Sequence, residues 1–149
     1  MDHEIYMRKA LDLAVEAAGE GEVPVGCVIA DAAGNILAVG RNRREETRSV
    51  LGHAELEALD KACRARGDWR LDDCTLFVNL EPCPMCAGAM INARLGTLVY
   101  GAREPLFGSA ASVLNLFAER YPARTAIYAG VLREESERLL REFFEKRRG

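Results

Sequence analysis

The sequence predicts an α/β fold in which one five-stranded mixed sheet carries helices on both faces, and three observations support that prediction. Apolar stripes at helical spacing alternate along the chain with short apolar runs bounded by turn residues. The first two runs are joined by a short polar turn, as in an antiparallel hairpin, whereas helical stretches separate the later runs, as a parallel pair requires. With 149 residues and 49% hydrophobic content, positions 1–149 suit one domain with a sizeable core.

Asp2 is placed to cap a first helix running to about Gly19, with Met7, Leu11, Ala14 and Ala18 on one face. Gly21-Glu22-Val23-Pro24 breaks that pattern. Val25 to Ala30 reads as a buried strand, Asp31-Ala32-Ala33-Gly34-Asn35 as a turn, and Ile36 to Val39 as the returning strand. Gly40 to Gly52 is a polar, arginine-rich loop positioned to touch a substrate. A helix resumes at His53 or Ala54 and runs to about Arg66, with Leu56, Leu59 and Cys63 on one face, and Gly67-Asp68 ends it. Trp69 follows in a short connection, where it can stack on a base or fold onto the core; core packing is the expectation.

Thr75 to Val78 reads as a third strand leading into Asn79-Leu80-Glu81-Pro82. Pro82 and Pro84 resist strand continuation and suit a helix start, so Cys83 and Cys86 fall at the N-terminus of a helix reaching about Arg94. Peptide N–H groups there favour thiolate over thiol. Leu98 to Tyr100 is a fourth strand, Ser109 to Glu119 a helix presenting Val113, Leu114, Leu116 and Phe117, and Thr125 to Tyr128 a fifth strand parallel to the fourth. The last helix runs from Glu134 to Lys146 and points Leu139, Leu140, Phe143 and Phe144 inward.

A net charge of −3 is not the basic balance that non-specific nucleic-acid binding needs. Two local clusters, Arg41, Arg43, Arg44 and Arg48 and then Lys146-Arg147-Arg148, are interleaved with acids and read equally as solvated charge or as a contact for a polyanion. No secretory leader opens the sequence and no apolar run reaches membrane-spanning length, which predicts a soluble cytoplasmic protein. The five cysteines do not suggest a disulfide framework, and Cys27, Cys63 and Cys74 are expected to be buried free thiols.

The chemistry concentrates in His53-Ala54-Glu55 and Pro82-Cys83-Pro84-Met85-Cys86. One imidazole and two thiolates make a three-ligand zinc set that leaves a fourth position for water, as catalytic sites do. Taken singly, His53 could be a core histidine, and the cysteine pair half of a structural knuckle or a redox pair. A closed structural site would need His3 or a scattered cysteine as fourth ligand. Together, a His-x-Glu and a later Pro-Cys-x-x-Cys form the pattern of zinc nucleobase deaminases, in which the glutamate moves protons and does not bind metal.

These motifs stand with Glu22-Val23-Pro24-Val25-Gly26, Asn42-Arg43, Leu80 to Met90, Gly101-Ala102-Arg103 and Phe143-Phe144. So equipped, the chain resembles the bacterial tRNA-specific adenosine deaminases of the cytidine-deaminase-like superfamily, from first helix to last. The resemblance implies a cytidine-deaminase-like three-layer fold and hydrolytic conversion of adenosine to inosine at the wobble position of a tRNA anticodon loop. It also implies a homodimer with one zinc per subunit, with contacts near Met90-Ile91 and the loop from Glu104. His53, Cys83 and Cys86 match the family's ligands and Glu55 its proton shuttle. Asn42 matches a pocket asparagine, and Val25 and Pro82 fall at its substrate contacts.

The chain departs from the family in three places. Ser49-Val50-Leu51-Gly52 stands where members carry Asp-Pro-Thr-Ala. Glu104-Pro105-Leu106-Phe107-Gly108-Ser109 replaces a segment with a lysine, and Pro122-Ala123 stands near a missing Asn-His pair. Losing a cation weakens phosphate contact. A free nucleobase or nucleoside (guanine, cytosine, adenosine or a modified purine) is therefore the second candidate substrate, with Leu106 and Phe107 suited to a closed pocket. A catalytically silent subunit that binds RNA or a protein is a third reading, against which the intact Glu55 and ligand set count.

Overall fold

The structure, a computed structural model, describes residues 1–148; Gly149 and the side chain of Arg148 lie outside the described residues, so the C-terminal basic cluster is followed only to Arg147. Helix α1, His3–Gly19, begins at Asp2, whose carboxylate accepts from Glu4 N at 3.0 Å. It buries Met7, Ala10, Leu11, Ala14 and Ala17. Ala17 thus takes the place expected for Ala18, because a straight helix returns to the same face after 3.6 residues on average.

Strands β1, Gly26–Ala30, and β2, Ile36–Arg41, form the expected antiparallel hairpin. Its turn is held by Asp31, whose carboxylate accepts from Ala33 N and Asn35 N at 3.0 and 2.9 Å. Strands β3, Thr75–Leu80, β4, Thr97–Ala102, and β5, Ala126–Tyr128, complete a sheet of order β2-β1-β3-β4-β5. β3 is antiparallel to β1, and β4 runs parallel to both its neighbours, β3 and β5.

Alternation along the strands sorts their side chains between two cores. Val28, Phe77 and Val99 meet α1, with Val131 and Leu132 at the start of the closing helix α5, Arg133–Arg148. Cys27, Ile29, Leu76, Val78, Leu98 and Tyr100 meet α3, Ala54–Arg66, and α4, Pro84–Asn92. The result is three layers, with α1 and α5 on one side and α3 and α4 on the other.

Several local expectations are corrected. Helix α3 buries Ala54, Glu55, Ala58, Leu59 and Ala62, while Leu56 and Cys63 are only half-buried. Size misleads here because the helix lies so close to β2 that a Cβ on Gly40 would collide with the Ala54 carbonyl oxygen, and only small residues fit between. A short helix α2, Arg44–Thr47, forms inside the expected loop, and its N-terminal amides from Glu45 and Glu46 donate to the buried Glu22 carboxylate at 3.0 and 2.8 Å.

No α-helix spans Ser109 to Glu119; a 3-10 turn at Leu116–Ala118 and an Ala110–Asn115 bridge stand there. Val113 and Leu114 are exposed, so the apolar run buries no stripe. Phe144 is 46% exposed while Phe143 is buried. Trp69 is 53% exposed rather than folded onto the core, and the guanidinium groups of Arg70 and Arg94 lie 5.3 and 5.6 Å from its ring centre. All five cysteines are free, Cys27 and Cys74 buried but Cys63 only half-buried, being drawn toward the Trp69 carbonyl. No helix among the described residues is long and apolar enough to cross a membrane.

Candidate active site

The sheet brings three chain segments to one end. β2 finishes at Arg41, β1 starts opposite it at Gly26, and β3 finishes at Leu80, antiparallel to β1. Asn79 fixes this corner: its amide oxygen accepts from Gly26 N at 2.8 Å, and its nitrogen donates to the Pro24 carbonyl at 2.9 Å and Ser136 Oγ at 3.1 Å. Helices α3 and α4 both open here, with His53 and Cys83 as their N-cap residues. Neither side chain caps its own helix, so both are free to turn toward a common point.

His53 Nδ1 lies 3.7 Å from Cys83 Sγ and 3.5 Å from Cys86 Sγ, and the three donor atoms fall within 4.8 Å of one another. Tetrahedral zinc with ordinary Zn–N and Zn–S bonds separates such donors by about 3.6 Å, so the residues fit that ion. The nitrogen and two-sulfur donor set is also chemically suited to it. Hydrogen bonding to Cys86 and then to His53, opposed by burial, holds the Cys83 thiol down at about 4. Cys86 is pushed up, first by sharing its proton with Cys83 and then by burial. The bond to Cys83 raises His53 against the opposing effect of burial.

Glu55, in the first turn of α3, is 4% exposed and lines the same cavity as His53 and Cys83. Burial pushes its carboxyl up to about 7, against the lowering effect of its own backbone N–H and of His53. A group that titrates near neutrality suits proton transfer in both directions. The cavity has a volume of about 700 Å³; Val25 and Asn42 lie on its wall, and exposed Arg44, Val50, Phe107 and Arg147 lie about its opening.

Asn42 is partly committed: its Nδ2 donates to the Val23 carbonyl at 3.1 Å and its Oδ1 accepts from Ala54 N at 3.2 Å. One N–H and one lone pair remain free of protein partners. Pro82 does not line the cavity, contrary to expectation. It is buried behind the ligand segment, where its carbonyl accepts from Ser109 N at 2.9 Å because the end of β3 turns it toward the loop after β4.

Sequence reasoning singled out Glu55 as the acid beside a ligand, but Glu81 also lies two positions from one. Their surroundings separate them. The Glu81 carboxylate accepts from the amides of Glu104, Ala110, Ala111 and Ser112 at 2.8 to 3.1 Å and from the Ser112 hydroxyl. Burial alone would raise its carboxyl, yet these bonds hold it below the ordinary value of 4.5. Glu81 therefore positions a loop and has no free electron pair for shuttling. Arg41 is also not solvated: it is 6% exposed, paired with Glu46 at 3.1 Å and Glu16 at 3.6 Å, while Arg43 pairs with Glu57 at 2.8 Å.

A three-layer sheet with a histidine and two cysteines converging at two helix starts defines the cytidine-deaminase-like class. The MafB19-like deaminase family model matches residues 1–148. The tRNA-specific adenosine deaminase of Bacillus subtilis (strain 168) is 42% identical over 146 residues, which span 97% of this chain and 90% of that protein. The chain belongs to the MafB19-like deaminases and to the family of tRNA-specific adenosine deaminases. A structure solved in work on A-to-I editing by tRNA:A34 deaminases superposes with a TM-score of 0.87 at 37% identity, over 91% of this chain and 98% of that one. A guanine deaminase from Nitrosomonas europaea superposes with a TM-score of 0.82 at 26% identity, over 94% and 83%.

Proposed function

We propose that residues 1–149 act as one zinc-dependent hydrolytic deaminase domain that converts adenosine to inosine at the wobble position of a tRNA anticodon. It works in the cytoplasm as a homodimer with one zinc per subunit. The observation that carries this reading is the gathering of donor atoms of His53, Cys83 and Cys86 within 4.8 Å, beside a cavity that His53 and Cys83 line together with buried Glu55. Among the solved structures, identity of 37% and a TM-score of 0.87 to a tRNA:A34 deaminase, against 32% and 0.67 to the guanine deaminase of Bacillus subtilis, support tRNA over a free base as substrate.

Zinc held by His53, Cys83 and Cys86 would lower the pKa of a water from about 15.7 to about 7. Glu55 accepts a proton from the attacking water as its oxygen bonds to the ring carbon that bears the amino group. The same carboxyl then delivers a proton to the amino nitrogen, the carbon–nitrogen bond breaks, and adenosine plus water becomes inosine plus ammonia. Asn42 has one N–H and one lone pair to offer the base, and Val25 gives an apolar wall. An anticodon base is already unpaired in its loop, so extruding it costs little.

The test is ammonia release from purified protein incubated separately with a tRNA transcript carrying wobble adenosine and with a panel of free bases and nucleosides. Inosine at the wobble position, read as guanosine after reverse transcription, is the expected product. Activity confined to small molecules would replace this reading with that of a free-base or nucleoside deaminase. Inactivity on every substrate with zinc bound would leave a silent binding subunit.

A further inference from the structure

Three exposed apolar side chains from three separate elements gather at the cavity opening: Val50 is 73% exposed, Phe107 61% and Phe144 46%. Solvent-facing groups of this size, collected at one opening, mark a recognition surface. Among the described residues, positive charge lining the opening comes from Arg44 and from Arg147, which also donates to the Gly21 carbonyl, whereas Arg41 and Arg43 are taken up by Glu46 and Glu57.

Phe107 lies in the loop from Glu104, which the family resemblance also places at the homodimer contact; in the single chain its side chain is exposed on a backbone that is tied down. The loop on either side of it is tied by Glu81 through the amides of Glu104, Ala110, Ala111 and Ser112. The Phe107 carbonyl accepts from the Ser109 hydroxyl at 3.0 Å. At Gly108 a Cβ would collide with the Glu104 carbonyl oxygen and the Glu81 carboxyl, so the backbone next to the ring has little freedom. A residue whose backbone is held before its ligand arrives loses less entropy when it is covered than one on a loose loop.

We infer that Phe107 is a stacking platform for an unpaired base next to the target base, and that this protein grips RNA at the cavity mouth by stacking more than by phosphate contacts. The inference rests on the proposed RNA substrate and adds how that substrate is held. Every base offers a π-face, and losing one base–aromatic stack weakens single-strand binding by roughly 5- to 100-fold. If Arg44 and Arg147, the cations that line the opening among the described residues, each met one phosphate, the slope of log affinity against log salt would be about −1.4 for a single strand.

The experiment measures fluorescence anisotropy of a labelled synthetic anticodon stem-loop carrying wobble adenosine, bound to zinc-loaded E55Q protein across a salt series. F107A and F107W are made in the same background, and mass is followed by light scattering. The expected result is binding weakened roughly 5- to 100-fold by F107A and restored to within about threefold by F107W, with the shallow salt slope kept throughout. In the active enzyme, F107A is expected to raise KM for the stem-loop more than it lowers kcat.

Equal binding by F107A and its parent would overturn the platform. So would a slope steeper than about −4, which needs about six phosphate contacts. Absence of RNA binding by the parent would also overturn it, and so would a change of mass in F107A, which would assign the apolar opening to a second copy of the chain. RNA binding through Phe107 without any deamination would sink the proposed reaction and leave the platform standing. Deamination of tRNA that ignores Phe107 would do the reverse.

Discussion

Glu55 and Glu81 are both buried glutamates two positions from a metal-ligand candidate, and their surroundings differ: Glu81 is saturated by loop donors, whereas Glu55 lines the cavity beside His53 and Cys83. Glu55 faces the cavity with its carboxyl pushed up to about 7 by burial, so Glu55→Gln should keep zinc at one equivalent, measured by emission spectrometry, while turnover falls by about 10² to 10⁴. Zinc lost along with activity would make Glu55 a structural support instead. The meeting of His53, Cys83 and Cys86 close to Glu55 was legible in sequence because the spacing within each motif is local and chemically distinctive. Glu81 was not, since nothing in Leu80-Glu81-Pro82 shows that five donors from residues 104–112 converge on it.

At the scale of elements, contacts distant in sequence decided where local patterns failed. The hairpin followed from Asp31 and Asn35, which act on their immediate neighbours. The expected helix over 109–119 did not form, because amides that could open it donate to a carboxylate about 30 positions earlier. Glu81 is held below 4.5, so its contribution is present above that pH and lost as pH falls through the lower folded value. Amide hydrogen exchange at 110–112 is therefore expected to be slow at neutral pH and to lose protection in acid, and Glu81→Gln should speed it at neutral pH; unchanged exchange would deny Glu81 the loop. A second test concerns the close approach of α3 to β2. Gly40→Ala forces a Cβ against Ala54, next to His53, and is expected to destabilise the fold by about 1–3 kcal/mol and to weaken zinc binding, read by denaturation and by competition with a chromogenic chelator.

For the whole molecule, the hairpin, the parallel β4–β5 pair and the helices on both faces were legible because strand alternation and striped helices dictate which faces must be covered, whereas the place of β3 between β1 and β4 is seen only in the structure. The tie between the ends of the chain was not. Asn79 on β3 bonds both the Pro24–Gly26 corner and Ser136 on α5 while fully buried, so Asn79→Ala leaves several polar groups unpaired and is expected to cost about 1–3 kcal/mol in urea unfolding. Zinc joining α3 to α4 would add to that stability: at 100 times its dissociation constant the ion contributes about 2.7 kcal/mol, so chelation should lower the melting temperature. An unchanged melting curve would place the ion elsewhere. Light scattering is expected to give twice the chain mass; a monomer would remove the homodimer.

Trp69 determines how this protein can be observed. It is the only tryptophan, clasped by two guanidinium groups just beyond the far end of α3, a helix of 13 residues that opens at His53 and spans about 20 Å. Intrinsic emission therefore samples the end of α3 opposite His53, and titrating metal or RNA should leave it almost dark to the event. Moving the fluorophore, by pairing Trp69→Phe with Phe107→Trp, would place the reporter where the chemistry happens.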